Sequence, residues 1–360
     1  MNILGYLDKY KDTSFKEAPF NEVDALALAL FAYLPFEEFK LEKDKFSREE
    51  LSKKINEYHF KKDDGQRIKN TFKLAKIICE SARYNKATFA HFKKINDKEK
   101  EKQFQAITIL FKDFIYISFC GTDSTVVGWK EDVNMAILEV VPSEIEAVKY
   151  ANMVAEKHWF RKLILGGHSK GARLSITAAK GLNNKKRLQA VFSFDGPNFP
   201  AVCYNEDYKK IDSRVLSYAP SESIIGRLMN EYRPKIIVKS TNKFIFQHDA
   251  FSWLINDKCF TYDEEYTVAS NNAANAINNV LINYDDEKKH QVIDAIFDIA
   301  DRLNFEKLPS EDAFKASLSK NLPIIAADFL INTPKNEKRL ALKIAFDILK
   351  DYFLTPLFKD

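Results

Sequence analysis

The sequence predicts an α/β chain in which a mostly parallel central sheet is covered by helices on both faces, with further helices added at each end. Three observations predict it. From about residue 87 to residue 240, short β-prone apolar runs alternate with segments of helical period, as parallel strands joined by crossover helices do. One strand-to-helix passage, Leu163 through Ala172, holds three of the chain's ten glycines, which marks a sharp turn. Outside this region, helical stripes replace the strand signal. The 360 residues therefore divide into a core with N-terminal helices, 1–260, and a C-terminal helical extension packed on it, 261–360.

Composition narrows the function classes. A hydrophobic content of 46% with 29 Phe is ample for a core. Lys and Arg number 55 against 51 Asp and Glu, a net +4 with both signs interspersed, so no nucleic-acid footprint is present. Four widely spaced cysteines without a C-x-x-C argue against a disulfide framework or a zinc site, and no metal or organic cofactor is called for. The first sixteen residues are broken by Asp8, Lys9, Lys11 and Asp12, leaving no signal-peptide core. No run of 18 apolar residues spans a membrane, so the expected location is a reducing cytoplasm, with transient membrane-surface contact left open.

The elements follow in order. Asn21 is placed as the N-cap of an apolar helix ending near Leu34 before Pro35. Ser47-Arg48-Glu49-Glu50 has the capping-box pattern for a second helix, and a third spans about Gln66 to Ser81. These helices are expected to form an outer layer. Thr88 to Phe92, Phe104 to Phe111 and Phe114 to Phe119 read as antiparallel strands, with a tight turn at Lys112-Asp113. Pro142 opens a helix whose apolar stripe is Ile145, Val148, Ala151 and Ala155. Leu163 to Leu165 is a buried strand, followed by strands at Ala190 to Phe194, Arg214 to Tyr218 and Lys235 to Lys239. Beyond Cys259 only helical stripes remain, one through Val292, Ile296, Ile299 and Leu303 and one through Leu342, Phe346, Leu349 and Phe353.

Between the Leu163 strand and the alanine-rich helix that follows lies Gly167-His168-Ser169-Lys170-Gly171, a G-x-S-x-G nucleophile elbow in its required strand-turn-helix setting. A serine on so sharp a turn needs residues without Cβ two positions before and after it. The helix then aims its first N–H groups at the place where a tetrahedral oxyanion would form. A phosphate-binding loop is excluded, because Ala172-Arg173 stands where that motif needs Lys-Ser/Thr.

With this elbow the order along the chain is serine, acid, histidine. Of six histidines only His248 and His290 follow Ser169. His290 lies in a charged helix start, whereas His248 lies just beyond the last predicted strand, so His248 is the candidate base. His168, beside the nucleophile, is expected to turn away from the base site and simply pack. Two carboxylates compete as the orienting acid. Asp195 follows the strand Ala190 to Phe194 and is held by Gly196-Pro197; Glu222 follows the next strand within Pro220-Ser221-Glu222-Ser223, which looks like a helix cap. Asp195 is preferred.

Several landmarks carry a family resemblance. Phe119-Cys120-Gly121-Thr122-Asp123, Gly128-Trp129-Lys130-Glu131-Asp132, the elbow, Phe194-Asp195-Gly196-Pro197 and Gln247-His248-Asp249, in that order, resemble class 3 lipases and a group of uncharacterised bacterial lipase-like proteins of α/β-hydrolase fold. The resemblance covers roughly two-thirds of the chain, from Asn2 through Trp253. It implies that the backbone N–H groups of Thr122 and Lys170 form the oxyanion hole; the segment Ser124 to Trp129, with Val126, Val127 and Trp129, reads equally as a short lid or as packing of Trp129 on the sheet. The resemblance implies a serine hydrolase acting on a lipid or small-molecule carboxylic ester. Two departures argue against ordinary triglyceride hydrolysis: Lys170 replaces an apolar residue, and Pro220 to Ser223 lacks the expected Asp. The rival expectation is a hydrolase-like binding or scaffold protein with weak or lost turnover.

Overall fold

A computed structural model describes residues 1–39, 44–61, 64–122, 131, 134–135 and 138–283. Eight strands form one sheet in sequential order. They are β1 (Lys45–Phe46), β2 (Thr88–Asp97), β3 (Lys102–Leu110), β4 (Phe114–Phe119), β5 (Lys162–His168), β6 (Leu188–Phe194), β7 (Val215–Pro220) and β8 (Ile236–Val238). Strands β1 to β4 pair antiparallel, and β4 to β8 pair parallel. The sheet is therefore mixed, its parallel half beginning at β4.

Sequential order in the parallel half decides how the sheet is covered. Right-handed crossovers that always step the same way place their helices on one face. The helices are α1 (Ile3–Tyr10), α2 (Glu22–Phe31), α3 (Arg48–Glu57), α4 (Gln66–Glu80), α5 (Pro142–Lys157), α6 (Lys170–Lys180), α7 (Glu206–Lys209) and α8 (Val268–Asn283). The crossover helices α5 and α6 share one core with the strands, through Ala147, Ala151, Leu174 and Ala178 beside Ile117, Leu165 and Val191. The opposite strand residues, Tyr116, Ile164, Phe192 and Phe194, share the other core with the N-terminal helices.

There α2 lies directly on the sheet, and α1 and α4 pack outside it. Every residue from Val23 to Phe31 is buried, which corrects the expectation of an outer layer. The reason is compositional: Glu22 to Phe31 is apolar on almost every side, and such a helix belongs inside. Sheet side chains reach its carbonyls, Tyr116 Oη to Ala25 O at 2.8 Å and Ser118 Oγ to Leu28 O at 2.7 Å. Its buried Asp24 accepts from Arg83 Nε at 2.7 Å and Tyr84 Oη at 2.8 Å, so this carboxylate is compensated without water.

The local start signals act as expected. Asn21 caps α2 and Ser47 caps α3, each in a reciprocal capping box, with Asp24 and Glu50. The stripe assigned to α5 is rotated: Ile145 is 50% exposed, while Glu144, Ala147, Tyr150, Ala151 and Val154 are buried. Two polar side chains select that face. Glu144 pairs with Arg173, and Tyr150 Oη meets Thr108 Oγ1 at 2.8 Å and donates to His91 O. Counting apolar residues alone misses a helix face chosen by buried hydrogen bonds. Helix α8 docks through Ser270 Oγ, which donates to Ser223 O. The stripes expected through Val292 and Leu342 lie outside the described residues, as does His290. Among the described residues no helix is long and apolar enough to cross a membrane.

Candidate active site

The site is built on the C-terminal ends of β4 to β7. Ser169 follows β5 with φ 59° and ψ −130°, a strained conformation for a residue with a side chain. Its N–H donates to Phe194 O at 2.9 Å, which ties the elbow to β6. The flanking glycines are a packing requirement. A Cβ on Gly167 would overlap the Gly171 backbone, and one on Gly171 would overlap the Phe119 carbonyl.

Asp195 follows β6 in the same way, with φ 47° and an N–H donated to Tyr218 O at 2.8 Å. Its carboxylate is fully buried. One oxygen lies 2.7 Å from His248 Nδ1, and the other accepts from Ser223 Oγ at 2.5 Å. His248 Nε2 lies 3.0 Å from Ser169 Oγ. A continuous chain of hydrogen bonds thus joins Ser169, His248 and Asp195, residues drawn from three separate loops. Since Asp195 only accepts, Nδ1 carries the proton and Nε2 is left as the acceptor toward Ser169. Glu222 is not the carboxylate on His248. Its backbone N–H instead donates to Gln247 Oε1 at 3.1 Å.

His168 differs from expectation. Its ring centroid is 4.7 Å from that of His248, and its Nε2 is 2.8 Å from His248 O. Its Nδ1 is 3.0 Å from Tyr33 Oη. A carbonyl can only accept, so Nε2 carries the hydrogen and Nδ1 accepts from the tyrosine. Burial, reinforced by the neighbouring His248 and Arg67, holds this imidazole well below its usual range and therefore neutral. The guanidinium of Arg67 lies 4.2 Å over the Tyr33 ring, and its Nη2 donates to Thr122 O at 3.4 Å. His168 points toward His248 rather than away, and Tyr33, just past the end of α2, offers the partner for its second nitrogen.

Lys170 lies within the elbow, directly after Ser169, and Thr122 follows β4. Phe119 at the end of β4 pairs in register with Gly167, which sets Thr122 beside the turn. Lys170 is the first residue of α6, where backbone N–H groups have no partner inside the helix. Its side chain is buried, donating from Nζ to Gln103 O at 3.0 Å and to Glu131 Oε2 at 3.1 Å. Glu131 also accepts from the Gln103 and Ser143 N–H groups, each at 2.8 Å. The lysine at this position is therefore an internal tie from the elbow to β3 and to the chain beyond Thr122. The candidate lid, Ser124 to Trp129, lies outside the described residues.

Sequence reasoning missed Ser223, Tyr33, Glu131 and Lys235. Lys235 Nζ donates to Gly196 O at 2.6 Å and braces the turn that carries Asp195. Burial pushes its ammonium down to about 8, against the opposing charge of Asp195. Glu131 lies in one of the family landmarks, but nothing local in sequence shows the partner of any of these residues, because each acts on a chain segment distant in sequence. Among the described residues, no cluster of three or more His, Cys, Asp or Glu could hold a metal ion.

Fold and site together define a mixed α/β chain with a Ser-His-Asp constellation at its parallel strand ends. The chain belongs to the Mbeg1-like family, whose model matches residues 78–298. Among solved structures it is similar to M37 lipase, at 12% identity over 66% of this chain and 84% of that one, with a TM-score of 0.36. It is also similar to the lipase from Rhizopus microsporus var. chinensis, at 12% identity over 75% of this chain and 84% of that one, again with a TM-score of 0.36. Comparison with curated proteins gives no match.

Proposed function

We propose that this chain is a lipase-like serine hydrolase of α/β-hydrolase fold, cleaving a carboxylic ester of a lipid-like or acylated substrate through an acyl-enzyme on Ser169. The observation that carries the reading is the hydrogen-bonded chain from Ser169 Oγ through His248 to Asp195, at 3.0 and 2.7 Å. In this mechanism His248 Nε2 takes the Ser169 proton as Oγ attacks the ester carbonyl, and returns it to the leaving alcohol. Asp195 holds the tautomer and stabilises the imidazolium. The N–H groups of Thr122 and Lys170 stabilise the oxyanion, which exists only once the tetrahedral intermediate forms. Water then enters by the same base and releases the acid. A thioester would be cleaved by the same residues.

The deciding experiment is labelling of the full chain with a fluorophosphonate probe, which reacts with an activated serine. Wild type is expected to be labelled and to hydrolyse short or medium acyl p-nitrophenyl esters. Ser169→Ala should lose both while keeping its fold. His248→Ala should lose about a thousandfold or more in kcat/KM. A folded Ser169→Ala variant with undiminished turnover rejects the proposal, and absence of labelling in wild type favours the scaffold reading.

A further inference from the structure

The link between α5 and β5 presents two aromatic rings to solvent. Trp159 is 74% and Phe160 65% exposed, and Trp159 is the most exposed large apolar side chain among the described residues. Their rings meet edge to face, with centroids 5.8 Å apart, and the Arg161 guanidinium lies over the Phe160 ring at 5.3 Å. The backbone of this link is held in place. Arg187 donates to Ala155 O at 2.7 Å, to His158 O at 2.6 Å and to Arg161 O at 2.6 Å. These bonds hold the backbone on both sides of the two rings.

Cations surround the pair. Lys157 and Lys162 are exposed on either side of it in the chain. The pairing of Phe114 with Lys162 and of Leu163 with Leu188 brings Lys112 and Lys186 to the same end of the sheet. Glu156, Asp113 and Asp44, the last 3.7 Å from Lys157 Nζ, are the acidic neighbours, outnumbered by Lys112, Lys157, Arg161, Lys162 and Lys186. Protein interfaces are depleted in lysine. Aromatic residues beside lysine and arginine instead suit a bilayer surface, with rings at the headgroup boundary and cations on the phosphates.

We infer that the Trp159-Phe160 loop is an attachment site for membrane surfaces that carry anionic lipid. Strand β5, seven residues long, runs between this loop and Ser169 and spans about 20 Å at the usual rise. Attachment therefore turns the Ser169 end away from that bilayer, and the two sites act independently.

The test is co-sedimentation of the full chain with phosphatidylcholine vesicles, with and without about one-third phosphatidylglycerol. Binding is expected on the anionic vesicles alone and should weaken as salt rises. The double variants Trp159→Ala/Phe160→Ala and Lys157→Glu/Lys162→Glu should each lose about tenfold or more in affinity with unchanged circular dichroism. Ser169→Ala should bind as wild type does, which separates this site from the proposed hydrolysis. Absence of binding to anionic vesicles, equal binding to neutral ones, or full binding by the aromatic variant overturns the inference. So does a wild-type dimer that the aromatic variant converts to monomer without any vesicle binding, since the rings would then seal a second copy.

Discussion

Asp195 is buried, carries a positive φ and accepts from both His248 and Ser223. Changing its carboxylate to an amide leaves the shape but offers His248 Nδ1 a donor in place of an acceptor, which favours the wrong tautomer. Asp195→Asn is therefore expected to lose several powers of ten in kcat, whereas Glu222→Gln keeps most turnover; steady-state kinetics on folded variants decides between them. His168 governs a different observable. Its folded pKa is depressed by burial, so the unfolded chain takes up a proton that the folded chain refuses. Stability from this group is fully present above about pH 6.5 and is lost as pH falls toward the folded value, by up to ~1.4 kcal/mol per pH unit. Urea unfolding between about pH 7 and pH 5 should show a shallower decline in His168→Asn than in wild type. Identical slopes would mean that His168 does not titrate as described.

At the scale of elements, α5 and α6 are joined by a buried ion pair. Arg173 Nε lies 2.9 Å from Glu144 Oε1, and both side chains are almost fully buried. Arg173 also donates to Met135 O at 2.7 Å, and Glu144 accepts from Thr177 Oγ1 at 2.9 Å. Removing one partner strands a buried charge, a loss of about 3–5 kcal/mol, whereas replacing both with apolar side chains of similar volume costs far less. Equilibrium unfolding of Glu144→Leu, Arg173→Met and the double variant should show the double less destabilised than the sum of the singles. Additive effects would show that the two residues are not coupled. Because α6 begins at Lys170, Arg173→Met should also lower kcat more than it raises KM.

For the whole molecule, one-directional crossovers leave a sheet face that, among the described residues, the N-terminal helices cover together with the segment around Trp253 and Phe260. The matched family region begins at residue 78, yet Ala25 to Phe31 are buried against Tyr116, Ile164 and Phe194 of that sheet. A chain beginning at residue 78 would expose this apolar face to water. It is expected to aggregate, or to bind a hydrophobic dye without a cooperative unfolding transition. A soluble, cooperatively unfolding fragment would refute this account of the N-terminal layer.

Much of the backbone plan was legible in sequence because its causes are local. Asn21 and Ser47 bond N–H groups within three residues, and the strands reveal themselves by apolar runs between turn residues. The strand-turn-helix passage at Ser169 is equally local, since Gly167 and Gly171 crowd one another across the turn. The rotated face of α5, the interior position of α2 and the partners of His168 and Lys170 were not legible. Each depends on which distant segment the sheet brings alongside: Tyr33 to His168, Glu131 to Lys170, Arg173 to Glu144. The pair of carboxylates illustrates the boundary. Sequence placed Asp195 and Glu222 at neighbouring strand ends, but only the fold decided that His248 meets Asp195. A hydrogen bond is made over about 3 Å, and position along the chain does not determine distance in space.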